Sequence, residues 1–579
     1  MSKRSKTETR KPTRHLAGAK YLVPEGAKPN SNKIREDRQL SLFREDGSGC
    51  TDGSQTEGNR YRSVGTREKI LGAVFTPPRV AAALTRWAVR SKEDVVLDPS
   101  CGEGVFLSAA RTRLGDLGGK KPRCLGIDID PSTATKAGVE CADFFEWVTT
   151  ASKVDVIVGN PPFVRSHLFP EPARALALRA MKGLGLRPSR LMSTWAPFLV
   201  LSCGLLNNAG RLAMVIPEEL LAVGYAEEIR RFLLKWFRRV IVCLPGADIF
   251  PNVQQAVVLL LCDSESRDES GLFSIDFTAL EEGDYGAVEP APTWEWNSKW
   301  THLFLTASER ERIADLWPTL GWKPFREYGQ VEVGIVTGDN GFFIVRQSDA
   351  HRFQAHHLVP VVSSTRDLRG VSFNGDDFRY LVRENRPAFL LNLSEPKHLL
   401  CKEEKDYLEE GEREHVSERY KCRIRSPWYA VPGIWDPNAA LFRQAGEIPR
   451  LVHLGRKCTV TDTIHRVTWI QPSRGKRHAV GFTNTWTLLA AELTGRSYGG
   501  GVLEIMPSEA NALPIPEPLQ TLEEVFEEVD ERVRSRAFFD AVHIVDEVVT
   551  PPWISQADRE IAHNVLRKLV NRRKTRITH

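Results

Sequence analysis

Several features are missing from this sequence, and each absence excludes something. None of the 10 cysteines sits at Cys-x-x-Cys spacing from another. That argues against a zinc ribbon and against a secreted disulfide framework, and it fits a reducing cytoplasm. No apolar run approaches the roughly 18 residues of a membrane span. The longest, 256–262, has the length of a strand. The basic, polar N-terminus has no signal-peptide apolar core, and no internal repeat is present. A dominant charge is also absent: 79 Lys+Arg stand against 74 Asp+Glu in 579 residues, a formal net of +5. A uniformly basic nucleic-acid coat is thereby excluded.

What is present is ordinary in amount. At 41% apolar and 26% charged the chain has a globular composition, and roughly 100–200 residues per domain implies several domains. The charge, however, is unevenly placed. Residues 1–62 hold 14 basic and 8 acidic side chains, and 561–579 hold 6 basic and no acidic ones. The stretch between them carries a net of −7, so contact with a polyanion must use local patches or the two ends. Residues 1–64, rich in Lys, Arg, Ser, Thr and Gly, are expected to form a basic, disordered arm.

From 65 to 262 apolar strand-like runs alternate with longer amphipathic stretches. Runs at 95–97, 125–128, 154–158, 211–216, 240–244 and 256–262 predict parallel βαβ units and a doubly wound sheet. Residues 263–300 turn to Ser, Glu, Asp, Pro and Gly, as a connection would. A second globular portion follows over 301–520, and the final segment, 521–579, is expected to hold two amphipathic helices, near 522–536 and 554–573, with a basic end.

Four signals in the first portion carry chemistry. In Val96-Leu97-Asp98-Pro99-Ser100-Cys101-Gly102-Glu103-Gly104 a strand ends in an acid, and two glycines let backbone approach a ligand. A tight turn explains two glycines equally well, and the absence of Gly-Lys-Ser/Thr disfavours a phosphate loop. Gly126-Ile127-Asp128-Ile129-Asp130 places a carboxylate where ribose hydroxyls are bound in nucleoside-binding folds, although Asp130 before Pro131 reads equally as a helix cap. Asp143-Phe144 offers a carboxylate and a ring to an adenine; in isolation Asp143 is a turn residue. The fourth signal, Gly159-Asn160-Pro161-Pro162-Phe163, decides the reading. Two prolines fix the backbone after the amide. The Asn160 side chain and the Pro161 carbonyl thus present two acceptors to one amino group, and Phe163 offers a face to a planar base.

In this order the motifs resemble the gamma class of S-adenosylmethionine-dependent DNA adenine-N6 methyltransferases, of restriction–modification type. Gly72-Ala73-Val74-Phe75-Thr76-Pro77-Pro78 is similar to the class's leading motif, Trp195-Ala196-Pro197-Phe198 to one after the catalytic loop, and Ile249-Phe250-Pro251-Asn252 to the last. Phe163 stands where Tyr is commoner, which keeps the stacking face and loses a hydroxyl. The resemblance spans 65–262. It implies a Rossmann-like class I α/β domain with a mostly parallel doubly wound sheet, a C-terminal α+β target-recognition domain, and terminal helices. Catalysis would fall to Asn160, Pro161, Pro162 and Phe163. The methyl donor would be held by Thr76, Pro77, Asp98, Cys101, Gly102, Gly104, Asp128, Ile129, Asp143, Phe144 and Phe198, without any metal. Phe250 would take the other face of a flipped adenine.

In the second portion Val333-Gly334-Ile335-Val336-Thr337-Gly338-Asp339-Asn340-Gly341-Phe342-Phe343 and Tyr498-Gly499-Gly500-Gly501-Val502-Leu503 are similar to segments of such recognition domains. Between them lies Tyr420-Lys421-Cys422-Arg423-Ile424-Arg425-Ser426-Pro427-Trp428-Tyr429. Lys421, Arg423 and Arg425 are candidates for DNA contact, with Trp428 and Tyr429 as core residues and a solvated Arg face the alternative. The expected partner is double-stranded DNA, with a cognate restriction endonuclease alongside, in a monomeric cytoplasmic, nucleoid-associated protein that contacts no membrane. Three other readings stay open: a protein glutamine methyltransferase, a fused enzyme with nuclease activity, and a non-catalytic DNA-binding subunit.

Overall fold

A computed structural model describes residues 75–575, apart from 247–248, 251–255, 265–269, 295–297 and 499–500. The expected arm, 1–64, lies outside the described residues, as do Gly72-Ala73-Val74, Pro251-Asn252 and Gly499-Gly500.

The catalytic half begins with helix α1 (Pro78–Ala88), which Pro78 opens at its first position. Its Val80, Ala81, Leu84, Trp87 and Ala88 form one buried face. Strands follow as β1 (Val95–Asp98), β2 (Arg123–Asp128), β3 (Glu140–Cys141), β4 (Val154–Gly159), β5 (Leu206–Pro217), β6 (Arg239–Cys243), β7 (Val257–Asp263), β8 (Gly271–Ile275) and β9 (Glu289–Pro290). They form one sheet in the order β3-β2-β1-β4-β5-β7-β6-β8-β9. The pairs from β3 through to β5 are parallel, whereas β7 runs antiparallel to both β5 and β6. Helix α2 (Val105–Asp116) connects β1 to β2 and buries Phe106, Leu107, Ala110 and Leu114. Helix α3 (Phe144–Trp147) follows β3, and α4 (Trp195–Gly204) precedes β5 with nearly every side chain buried.

The order matters for function. The chain steps from β1 outward to β2 and β3, then returns to place β4 on the other side of β1, in register Val96 to Val156 and Leu97 to Ile157. The sheet therefore has a topological switch point between β1 and β4. Loops leaving the two carboxyl ends diverge there and leave a crevice, the usual ligand position in an open α/β sheet.

Two expectations need correction. The expected connection at 263–300 is largely sheet: β8 pairs with β6 and β9 with β8, and Leu272, Phe273, Ile275, Trp300 and Leu303 complete the same core. The signal was weak because β8 is a five-residue strand set among Ser, Glu and Asp. The expected helix at 522–536 is a short 3-10 turn (Gln520–Glu523) followed by a shorter helix (Phe526–Arg534), and a further helix, Phe538–Val549, was not anticipated.

The second half contains a five-stranded sheet, in the order Gly329–Val333, Ile464–Trp469, Ala439–Phe442, Leu451–Leu454 and Ser372–Phe373, and a four-stranded one built around Phe389–Leu391 and Leu358–Val362. Helices α5 (Lys402–Arg413), α6 (Thr485–Thr494), α7 (Phe526–Arg534), α8 (Phe538–Val549) and α9 (Gln556–Thr575) complete it. The terminal helices are no appendage. Val565, Leu566, Leu569 and Val570 of α9 share a core with Trp486, Leu489 and Leu493 of α6. Among the described residues no helix is long and apolar enough to cross a membrane.

The cations of α9 are turned inward. Arg573, 3% exposed, pairs with the equally buried Glu492 at 2.8 Å and donates to the carbonyls of Ala445, Gly446, Glu447 and Gly501. Arg572 pairs with Glu218 at 2.6 Å and covers the Phe304 ring, while Lys568 pairs with Glu309 and Lys574 with Glu447. Replacing one member of a buried pair strands the other, at a cost of roughly 3–5 kcal/mol. Arg573→Met is therefore expected to lower the urea midpoint sharply, with the double variant Arg573→Met/Glu492→Gln regaining part of the loss. Equal midpoints for wild type and Arg573→Met would show that the pair contributes nothing.

Candidate active site

The loops leaving β1 and β4 are built as one unit, and a buried carboxyl forms their floor. Asp98 ends β1 and is 1% exposed; its Oδ1 accepts the Ser100 N–H at 3.2 Å. A Cβ on Gly159, at the end of β4, would stand 2.8 Å from that oxygen, so the residue before Asn160 has to be glycine. Burial pushes the Asp98 carboxyl up to about 8; the Ser100 N–H opposes this, and the nearby Asp128 charge adds to it. Asp98 thus lies beneath the loops rather than along an open wall.

Above this floor the glycine loop turns through two left-handed residues, Gly102 (φ +52°) and Gly104 (φ +81°), the second ending at the start of α2. A Cβ on Gly102 would meet nothing within 4 Å, so its outer side faces open space. Asp128, ending β2, accepts the Gly102 N–H through Oδ2 and the Asp130 N–H through Oδ1, both at 2.9 Å. Beside it Ile129 is 52% exposed, an aliphatic face at the crevice edge. Asp130 is the helix cap that its place before Pro131 implied, with Oδ1 accepting from Thr133. Cys101 is buried, and burial together with the neighbouring Asp98 and Asp128 charges raises its thiol to about 12, so it is no nucleophile.

Asp143 caps α3 through Phe145 N at 2.9 Å, and burial raises its carboxyl. Next to it the rings of Phe144 and Phe198, the latter from α4, stack with centroids 4.3 Å apart and an 18° interplanar angle. Two sequence-distant motifs therefore meet as one aromatic wall.

The Asn160–Phe163 loop is held at three points. Asn160 Nδ2 donates to Thr76 Oγ1 at 3.1 Å, which turns the amide oxygen away from Thr76. The Ser100 hydroxyl donates to the Asn160 carbonyl at 3.1 Å, and the Thr194 hydroxyl donates to the Pro162 carbonyl while accepting the Val164 N–H. No donor among the described residues reaches the Pro161 carbonyl lying between those two. Thr76 thus touches the Asn160–Phe163 loop itself; Pro77 caps α1 beside it. Ser100 and Thr194 were not singled out in the sequence. Ser100 sits inside the glycine-loop motif, and Thr194 immediately precedes α4, a capping position that could have flagged it. Phe163 and Phe250 are both under 10% exposed and belong to the same core cluster.

In the second half the basic segment divides. Lys421 and Arg423 are exposed, and each lies against the exposed Tyr420 ring. Arg425 instead donates to the Val336 and Thr337 carbonyls at 2.7 Å each, tying its own segment to the loop that carries them. Tyr429 is a core residue, and Trp428 is half-buried against Phe342.

The Eco57I restriction-modification methylase family profile matches residues 120–250, and that of the type II methyltransferase M.Eco57I C-terminal domain matches 297–550. Together they span about two thirds of the chain. The chain belongs to the Eco57I-type restriction–modification methylases. It is a DNA methyltransferase of restriction–modification type with a Rossmann-like catalytic domain. Among relatives, the type II methyltransferase M.AccI of Acinetobacter calcoaceticus is 25% identical over 393 residues, 63% of this chain and 69% of its own. M.XamI of Xanthomonas campestris pv. amaranthicola is 23% identical over 496 residues, covering 79% and 87%. Among solved structures, the type IIL restriction-modification enzyme MmeI in complex with DNA matches 86% of this chain and 72% of its own, with a TM-score of 0.47 and 12% identity.

A carboxyl whose pKa is raised on folding binds its proton more tightly in the fold. Its contribution is present at low pH and is lost as pH climbs from about 4 through about 8. In the protein without methyl donor, the thermal midpoint is expected to fall between about pH 4 and about pH 8, and Asp98→Asn should flatten that fall. Parallel slopes in scanning fluorimetry would show that Asp98 is ionised throughout.

Proposed function

We propose that the methylase transfers the methyl group to N6 of an adenine flipped out of duplex DNA. The observation that carries this reading is the disposition of the catalytic loop. Hydroxyls of Ser100 and Thr194 take the Asn160 and Pro162 carbonyls, and no donor among the described residues reaches the Pro161 carbonyl. The Thr76 hydroxyl accepts from Asn160 Nδ2 and so turns Oδ1 to the opposite side. Asn160 Oδ1 and the Pro161 carbonyl together accept the two hydrogens of one exocyclic amine. An adenine amine is a poor nucleophile because its lone pair is delocalised into the ring. Accepting both hydrogens localises that lone pair on nitrogen, and no strong base is required before attack. The loop's contribution is positioning and electrostatics.

The donor site fits the chemistry of S-adenosylmethionine. The open side of Gly102 admits a ligand against the backbone, Asp128 can accept from ribose hydroxyls, and Ile129 offers an apolar face to a base. Asp143 and the Phe144–Phe198 stack stand on the adenine side. When bound, the donor supplies an electrophilic methyl group on a sulfonium. Phe163 and Phe250 then offset the lost stacking of the flipped base, roughly a few kcal/mol. The C-terminal half reads the target site, with Lys421 and Arg423 toward the duplex, and a separate endonuclease cutting the same site is the expected companion.

Asn160→Ala is expected to abolish tritiated-methyl incorporation into DNA while S-adenosylmethionine binding changes less than about threefold. Nuclease digestion of wild-type product should yield N6-methyladenine. Turnover by the variant near the wild-type rate, or methylcytosine as the product, overturns the proposal. Phe250→Ala should weaken capture of the flipped base, read as a smaller rise in fluorescence from 2-aminopurine at the target position. An unchanged rise removes Phe250 from that role.

A further inference from the structure

The C-terminal half contains a cluster that the methylation chemistry does not use. His356 and His357 end a short 3-10 turn (Ala355–His357) just before Leu358–Val362, with ring centroids 4.1 Å apart. Glu395 approaches from the loop after Phe389–Leu391, and that loop is tied to the turn by Asn392 N–H donating to the His357 carbonyl at 2.9 Å. One ligand-type atom from each of His356, His357 and Glu395 lies within 4.8 Å of the other two.

The central residue is built in as a metal-binding histidine is. His357 is 3% exposed, and its Nδ1 lies 2.7 Å from Oε1 of the fully buried Glu404. That carboxylate also accepts the main-chain N–H groups of Gln354 at 2.9 Å and Cys401 at 3.1 Å. An acceptor so engaged leaves the proton on Nδ1, so Nε2 presents its lone pair. Nε2 is buried, has no hydrogen-bond partner among the described residues, and lies 4.0 Å from Glu395 Oε1. A buried nitrogen without a partner is costly. A carboxylate behind Nδ1, fixing ring and tautomer while Nε2 faces other donors, is the outer-shell arrangement of histidine metal ligands.

We infer that His356, His357 and Glu395 form a binding site for a divalent transition-metal ion of zinc type, with Glu404 as the orienting carboxylate. Zinc–ligand bonds of about 2.0–2.2 Å require the three atoms to close by roughly 1 Å. His356 is exposed and the Glu395 side chain is 43% exposed, so both can move. The ion would fix the Glu395 loop. Because the Glu395 carbonyl accepts the Tyr429 hydroxyl at 3.0 Å, the same loop supports the segment that carries Lys421 and Arg423.

The test uses the full chain, stripped with chelator and titrated with Co2+ as a visible probe. One equivalent is expected to bind, giving the absorption of nitrogen-ligated cobalt, and one equivalent of Zn2+ should displace it and raise the thermal midpoint. His356→Ala and Glu395→Gln alter only accessible side chains and should each weaken Co2+ binding at least tenfold, as should Glu404→Gln acting through the ring. His357→Ala strands the buried Glu404, so the accessible variants are decisive. Failure of the wild type to bind, or equal affinity in the double variant His356→Ala/Glu395→Gln, overturns the proposal.

Discussion

Everything at the candidate site is referred to one buried carboxyl. Asp98 occupies the floor at the switch point, and the space for its oxygen is the space a side chain at 159 would need. The bare Gly159 lets β1 and β4 pair in parallel register at a spacing where Ser100 reaches the Asn160 carbonyl. Asn160 in turn meets Thr76 at the entrance to α1. The glycine loop and the Asn-Pro-Pro-Phe loop therefore cannot drift apart independently. In a reaction whose enzyme contributes alignment more than proton transfer, a shared rigid floor is the main requirement.

The distribution of charge has a similar logic. The acidic excess between the two ends is partly structural, since Glu218, Glu309, Glu447 and Glu492 receive the cations of α9. Four of the six basic residues in 561–579 are consumed in this way. Lys568, Arg572, Arg573 and Lys574 thus act as a clasp within the fold.

Much of the catalytic half was legible in the sequence because its strands are uninterrupted apolar runs and its loops carry residues with specific conformational demands. Gly102, Gly104 and the two prolines after Asn160 are of that kind. Edge strands were not legible: β8 and β9 are short and polar-flanked, and their place in the sheet depends on β8 pairing with β6 and β9 with β8. The Arg425 side chain shows the same limit, because a guanidinium looks alike in sequence whether it faces phosphate or a carbonyl of its own chain. Thr76 was legible as a motif, but its bond to Asn160, 84 residues away, was not. The histidine cluster gave no signal, since two adjacent histidines and a distant glutamate match no familiar ligand spacing, and only the fold brings Glu404 behind His357.

The clasp made by α9 has a consequence for how such a protein can be rebuilt. Arg572 reaches Glu218, immediately after β5 and at the same edge of the sheet as the catalytic loop, while Arg573 of the same turn is locked into the second half by Glu492. Adjacent side chains on one helix therefore hold both halves. A chimaera that exchanges the second half for that of another methylase has to take the final helix with it and match its partner glutamate on the catalytic side. Without that match, the graft would lose an ion pair that joins the two halves, leaving the contacts of Lys299 and Thr301 with the second half to hold them.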